Sequence, residues 1–260
     1  MKRATAHGSL MGEGVPDALS LEGRAPHVLA LHGFGGTPQE VALVVDVARE
    51  LGLGAEAPLL PGHGLRVSDL APLRFQDWLD SAEDSYLRLA KRGKVVVAGL
   101  SLGAVLALTL AAQHPHTTLG VVALANAVWL QSPWPSWGLK VVERLRLPDF
   151  WMAKAGPDIA DREQKVRHLT YNAQPVRAAV SLLRAGERLI PQLHKVQAPA
   201  LVIHGQHDAV CPVSNAWRLA VRLGSLQKRI VILPQSRHII TRDIDRDLLR
   251  KELVAFLAAF

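Results

Sequence analysis

Ser101, within Gly99-Leu100-Ser101-Leu102-Gly103, is the residue of this 260-residue chain best placed to act as a nucleophile. The stretch follows the apolar run 94–98 and opens the apolar, helix-like run 102–113. A serine with glycine two residues away on each side, between a strand and a helix, has the form of a nucleophile elbow. The chemistry accounts for the glycines. Such a serine sits on a sharp, strained turn, and only residues without a Cβ let the strand and helix backbones come close enough. With 20 glycines in the chain, the bare G-x-S-x-G string turns up by chance in roughly one chain in ten, so the flanking strand and helix patterns are what give it meaning.

A hydroxyl is a weak nucleophile at neutral pH, so Ser101 requires a base to take its proton and a carboxylate to hold that base in one tautomer. On a parallel sheet with this elbow the chain order is serine, acid, histidine. Asp208, in Gly205-Gln206-His207-Asp208, follows the apolar run 200–204, and His238, in Gln235-Ser236-Arg237-His238, follows the run 229–233. All three are then delivered to one edge of the sheet. Other histidines compete: His7, His114, His116, His168 and His194 fall in the N-terminal tail, at a helix end or in an insertion, where an exposed or capping role is expected. His63, in Pro61-Gly62-His63-Gly64, is expected to line the site, but it precedes the serine. Asn126 occupies the alternative place for the acid, which favours Asp208. The oxyanion of an acyl-transfer intermediate needs N–H donors. The loop His32-Gly33-Phe34-Gly35-Gly36 supplies one at Phe34, and the residue after the nucleophile, Leu102, supplies the other. No dinucleotide or P-loop string is present to make this glycine loop a phosphate cradle. No metal and no organic cofactor is called for.

Six short apolar runs suit buried strands: 27–31, 55–59, 94–98, 119–125, 200–204 and 229–233. Helical patterns separate most of them. Thr37-Pro38-Gln39-Glu40 reads as a capping box opening a helix that stops at Gly52, and Phe75, Trp78, Leu79, Ala82, Tyr86 and Leu89 recur at helical spacing before Gly93. A last helix runs from about Asp243, with Asp243, Asp245 and Asp247 expected in its first turn. Alternation of this kind predicts an α/β fold with a mostly parallel central sheet flanked by helices, binding its ligand at the carboxyl ends of the strands. Residues 126–196 break the rhythm. They show no convincing strand, carry Trp129, Trp134, Trp137 and Trp151, and include a helical stretch, 175–194, that ends or kinks at Pro191. They read as a small helical lid inserted into one domain spanning 1–260.

Lys and Arg number 30 against 23 Asp and Glu, a net charge of +7. The basic residues alternate with acids and apolar residues, as on solvated helix faces, so no nucleic-acid partner is expected. No run approaches 18 apolar residues and the N-terminus lacks the apolar stretch of a signal peptide, from which a cytoplasmic chain without a stable membrane anchor is expected. The single cysteine, Cys211, rules out an internal disulfide and reads as a small packed side chain.

Five stretches taken together resemble the bacterial carboxylesterase and monoacylglycerol lipase branch of the α/β-hydrolases. They are Leu31-His32-Gly33-Phe34-Gly35-Gly36-Thr37-Pro38-Gln39-Glu40, Pro61-Gly62-His63-Gly64, Ala98-Gly99-Leu100-Ser101-Leu102-Gly103, His207-Asp208-Ala209-Val210 and Ser236-Arg237-His238-Ile239-Ile240-Thr241. The resemblance implies the α/β-hydrolase fold, Ser101, Asp208 and His238 as a catalytic triad, and the amides of Phe34 and Leu102 as the oxyanion hole. The triad chemistry predicts carboxylic ester cleavage through an acyl-enzyme, and the apolar insertion over the strand ends predicts a small-molecule ester with a small to medium apolar acyl chain. Two departures stand out. Ala104 replaces a frequent glycine, and Arg237 stands where glycine usually precedes the histidine, setting a cation beside the base. Thioester or C–C hydrolysis and acyl transfer are the rival reactions on this fold, and a catalytically silent ligand-binding module is the rival from another class.

Overall fold

The computed structural model describes residues 17–64, 66–130, 151–153 and 156–260. All six apolar runs are strands: Arg24–Leu31 (β2), Leu53–Ala57 (β3), Val95–Leu100 (β4), Thr118–Leu124 (β5), Ala200–Gly205 (β8) and Lys228–Leu233 (β9). A short strand that periodicity did not reveal, Leu19–Leu21 (β1), pairs antiparallel with β3 at the edge. Three residues give no pattern to read. The sheet order is β1-β3-β2-β4-β5-β8-β9, and every pairing beyond β1 is parallel.

Helices cover both faces. On one face, Ala42–Glu50 (α1) and the C-terminal Arg246–Leu257 (α8) pack Val44, Val45, Leu249 and Leu253 against Val96, Val122 and Ile203. On the other lie Phe75–Ala90 (α3), Leu102–Gln113 (α4), Val176–Leu189 (α6) and Asn215–Arg222 (α7), with Trp78 and Tyr86 buried in the core as their spacing predicted. The central helix α4 buries ten of its twelve residues, which is why it has no polar face. Among the described residues, shorter helices Val67–Leu70 (α2) and Arg162–Arg167 (α5) complete the set. Among the described residues no helix is long and apolar enough to cross a membrane.

Three expectations are corrected. Thr37 makes no side-chain cap: a 3-10 turn, Pro38–Val41, precedes α1, and the Glu40 carboxylate turns back to the Gly33 amide instead. The insertion contains strands after all, Trp151–Ala153 (β6) pairing antiparallel with Ala173–Pro175 (β7). Its helix α6 does give way to a 3-10 turn, Ile190–Lys195, at Pro191. The last helix begins at Arg246, and only Asp247 sits in its first turn. Asp243 is fully buried and takes backbone N–H groups from Ala160, Asp161, Arg237 and Ile244, while Asp245 takes Gln235 N–H and the Ser236 hydroxyl. Trp134, Trp137 and His7 lie outside the described residues.

Candidate active site

Ser101 follows β4 with φ 57° and ψ −110°, a left-handed backbone that a side-chain-bearing residue adopts only where its surroundings enforce it. The enforcement is steric. A Cβ on Gly99 would lie 2.0 Å from the Gly103 carbonyl oxygen, and one on Gly103 would lie 1.9 Å from that of Leu31. Strand, elbow, helix and the end of β2 are therefore in backbone contact. The Ser101 N–H donates to Leu124 O at 3.0 Å, and the Ser101 carbonyl accepts the Ala104 and Val105 amides.

The loop after β2 closes on itself, Gly36 N–H to Gly33 O at 3.1 Å, with Gly35 at φ 73° as the third residue of this turn requires. A Cβ on Gly33 would stand 3.6 Å from Ser101 Cβ, so the loop abuts the elbow. Phe34, half-buried, sits at its crest. Leu102 opens α4, where the first N–H groups have no acceptor within the helix. Beneath the loop the buried Glu40 takes the Gly33 N–H at 2.9 Å and lies 3.2 Å from His168 Nε2. Burial alone would raise its pKa. The His168 and His32 rings and the Gly33 amide outweigh it and hold the carboxyl at about 2. His168 is thus buried against Glu40, not exposed as its position in the insertion suggested.

His63 lies beside this loop with its ring edge-on to His32, Phe34 and Trp78, at 4.8, 6.2 and 5.8 Å. Its Nδ1 is within hydrogen-bond range of the Leu60 and Pro61 carbonyls. Burial, then His32, pushes its pKa down to about 3, so it is neutral at ordinary pH.

On the other half of the edge, the loops after β8 and β9 meet. Gly205 lets them: a Cβ there would lie 2.1 Å from Arg237 O. His207 N–H donates to Ser236 O at 3.0 Å. Asp208 Oδ2 and His238 Nδ1 are 2.8 Å apart, and Asp208 Oδ1 accepts the amides of Val210 and Cys211 at 2.8 and 2.7 Å. Burial opposes the charge of Asp208, but His238, His204 and the Cys211 amide prevail and lower its pKa well below the carboxylate range. Cys211 is buried, and burial with Asp208 and Asp158 nearby raises its thiol pKa. The cation at Arg237 is offset: its Nη1 donates to Asp158 Oδ1 at 3.1 Å, and Asp158 Oδ2 takes the Ala209 N–H.

Of the residues singled out by sequence, Asp208 and His238 are joined directly, and Ser101, Phe34 and Leu102 stand together at the ends of β2 and β4. No hydrogen bond joins Ser101 to His238 among the described residues, a contact that commonly tightens only with substrate bound. Sequence reasoning missed His204, Glu40, His168, Asp158 and Asp243. A polar residue closing the buried apolar strand Ala200-Leu201-Val202-Ile203-His204 was the one available signal, since a buried polar side chain requires a partner. The others pair across 51 to 128 residues of chain and leave no local pattern.

A family model described as serine aminopeptidase, S33, matches residues 24–245. A thermostable monoacylglycerol lipase of Bacillus sp. (strain H-257) is 30% identical over 232 residues, 89% of this chain and 90% of that one. A carboxylesterase of Bacillus subtilis (strain 168) is 25% identical over 248 residues, 93% of this chain and 96% of that one. A solved structure described with LipS and LipT, two metagenome-derived lipolytic enzymes, superposes with TM-score 0.86 at 27% identity, covering 95% of this chain and 98% of its own. With the sheet, the elbow and matches of this extent, the chain belongs to the serine aminopeptidase S33 family and has the α/β-hydrolase fold.

Proposed function

We propose that this chain is a serine hydrolase cleaving carboxylic esters of small to medium apolar acyl groups, with Ser101 as nucleophile, His238 as base and Asp208 as its orienting acid. The observation that carries the reading is the 2.8 Å contact between Asp208 and His238 on the same sheet edge as a serine held at φ 57°. Asp208 can only accept, so Nδ1 of His238 holds the proton and Nε2 keeps its lone pair. Ser101 Oγ adds to the ester carbonyl as its proton passes to Nε2. The oxyanion receives the Phe34 and Leu102 N–H groups, each donor worth on the order of 10² to 10³ in rate. Collapse expels the alcohol with that proton and leaves the acyl-enzyme. Water, deprotonated by His238, then releases the acid and restores Ser101.

The named activities of the monoacylglycerol lipase and carboxylesterase relatives support ester cleavage. Residues 126–196 are read as a lid within a single domain. In support, they touch the loops after β2, β3, β8 and β9 through His168, Tyr171, Asp158 and Ala160. The buried single cysteine agrees with a reducing, cytoplasmic setting.

The test is burst kinetics with nitrophenyl esters from acetyl to palmitoyl. Wild type is expected to release chromophore in a burst, with kcat/KM rising with chain length and then falling. Ser101→Ala is expected to fold normally, show no burst and lose about 10⁴ to 10⁶ in turnover. Retained turnover in that variant overturns the assignment.

A further inference from the structure

We infer that His204 is a positioning residue for the acid of this site: its Nε2–H donates to the same Asp208 oxygen that accepts from His238, so one carboxylate oxygen serves two histidines. The distances are 3.0 Å from His204 Nε2 and 2.8 Å from His238 Nδ1, both to Oδ2. This rests on the proposed roles of Asp208 and His238.

The tautomer of His204 follows from its surroundings. Its side chain is fully buried, and Nε2 faces two acceptors, Asp208 Oδ2 and, at 3.2 Å, Cys211 O. Two acceptors around one nitrogen require it to carry the proton. Nδ1 has no partner among the described residues. A proton there would be a buried donor left unmade, so the ring donates through Nε2. Asp208 then has three hydrogen bonds, from the Val210 and Cys211 amides to Oδ1 and with His238 at Oδ2, and a fourth contact at Oδ2, 3.0 Å from His204 Nε2, whose one proton it shares with Cys211 O. The carboxylate cannot turn without breaking bonds on both oxygens, and Oδ2 stays aimed at His238.

The second donor also sets the strength of the first. Negative charge on Oδ2 divided between two N–H groups stabilises a His238 imidazolium less than an oxygen given to His238 alone. Charged and titratable groups packed around the carboxylate are His204 and Cys211 from β8 and its loop, His238 and Arg237 from the loop after β9, and Asp158 from the insertion. Arg237 and Asp158 are paired with each other, and the raised Cys211 thiol stays neutral. The acidic limb of kcat/KM is therefore the readout of the Asp208–His238 contact.

His204→Leu is expected to move that limb to higher pH and to lower kcat/KM at its optimum by about 10- to 100-fold, the usual effect of losing a partner that orients an active ligand. His204→Gln, which can set an amide N–H where Nε2 stands, is expected to restore the limb. In a ¹⁵N-edited proton spectrum, wild type should show two exchange-protected imidazole N–H signals from this cluster. His204→Gln should lose one, and Asp208→Asn should shift both. A His204→Leu limb superimposable on wild type overturns the inference. So does an Asp208→Asn spectrum in which the His204 signal stays in place, a readout that needs no folded His204 variant. Failure of the underlying reading looks different: Asp208→Asn would then keep full esterase activity.

Discussion

The two halves of the sheet's carboxyl edge, where the candidate site lies, are held by different physics. At the ends of β2 and β4, backbone touches backbone: Gly99 and Gly103 leave no room for a Cβ, one on Gly33 would press on the Glu40 carboxylate at 3.1 Å, and Ser101 takes its strained torsion between them. At the ends of β8 and β9, apart from Gly205, order comes from side-chain hydrogen bonds. Asp208 gathers three hydrogen bonds with His204 Nε2 3.0 Å away, Asp243 gathers four amides, and Asp158 ties Arg237 to the Ala209 amide. A steric constraint is local and insensitive to pH. A carboxylate network spans the chain and depends on charge, so the halves should fail in different ways.

Apart from loss of the Ser101 hydroxyl itself, the largest effect is expected on the networked half. Asp208→Asn keeps the shape of the side chain but puts an N–H₂ or a single acceptor before two histidine donors, and kcat/KM should fall by about 10⁴ while the fold persists. His63→Asn, which can keep a donor near the Leu60 and Pro61 carbonyls, should leave kcat within about tenfold of wild type, since His63 touches the aromatic cluster and not Asp208. If His63→Asn were the more damaging to kcat, the assignment of His238 as base would fail.

On the steric half, stability should respond before pH does. Gly103→Ala would drive a Cβ to within 1.9 Å of the Leu31 carbonyl, and backbone on both sides prevents relief. A loss of about 3 kcal/mol or more is expected, the upper end for overpacking, read as a lower denaturant midpoint at unchanged m-value and equal at pH 6 and 8. A Gly103→Ala protein of wild-type midpoint would show that the elbow is not sterically fixed.

The same contrast explains what could be read without a structure. Steric demands are written at short spacing, so Gly99 and Gly103 around Ser101, the turn glycine Gly35 and the six apolar strands were legible, as was the meeting of Asp208 and His238 beyond β8 and β9. Network partners are chosen by the fold. Glu40 satisfied a local capping pattern three residues from Thr37, yet tertiary contact drew it to the Gly33 amide and His168. Asp243 satisfied a helix-dipole pattern, yet four buried amides claimed it. His168 looked like an exposed residue of an insertion because its partner lies 128 positions away. For Glu40 and Asp243 a local rule worth about 1 kcal/mol competed with the larger cost of leaving buried N–H groups unpaired.

Glu40 offers the finest test of the comparison, being a buried carboxylate on the otherwise steric half. Its folded pKa of about 2 lies below the ordinary 4.5, so between those values the folded state binds fewer protons than the unfolded one. Its contribution is then complete above pH 4.5 and is lost as pH falls toward 2, with an upper size of about 3 kcal/mol for a shift of this extent. His63 acts in the same direction over another window: held at about 3 against 6.5, it costs stability as pH falls from 6.5 toward 3. Glu40→Gln can still accept from the Gly33 amide but no longer attracts His168, so the elbow and its glycines are untouched. Urea unfolding should find Glu40→Gln less stable than wild type at pH 7 by up to about 3 kcal/mol, with the gap narrowing steadily between pH 4.5 and 3. The His63 slope between pH 6.5 and 4.5 should be common to both proteins and cancel in the difference. A gap that stays constant down to pH 3 would mean that the Glu40 charge contributes nothing, and that this half of the edge is held by backbone alone.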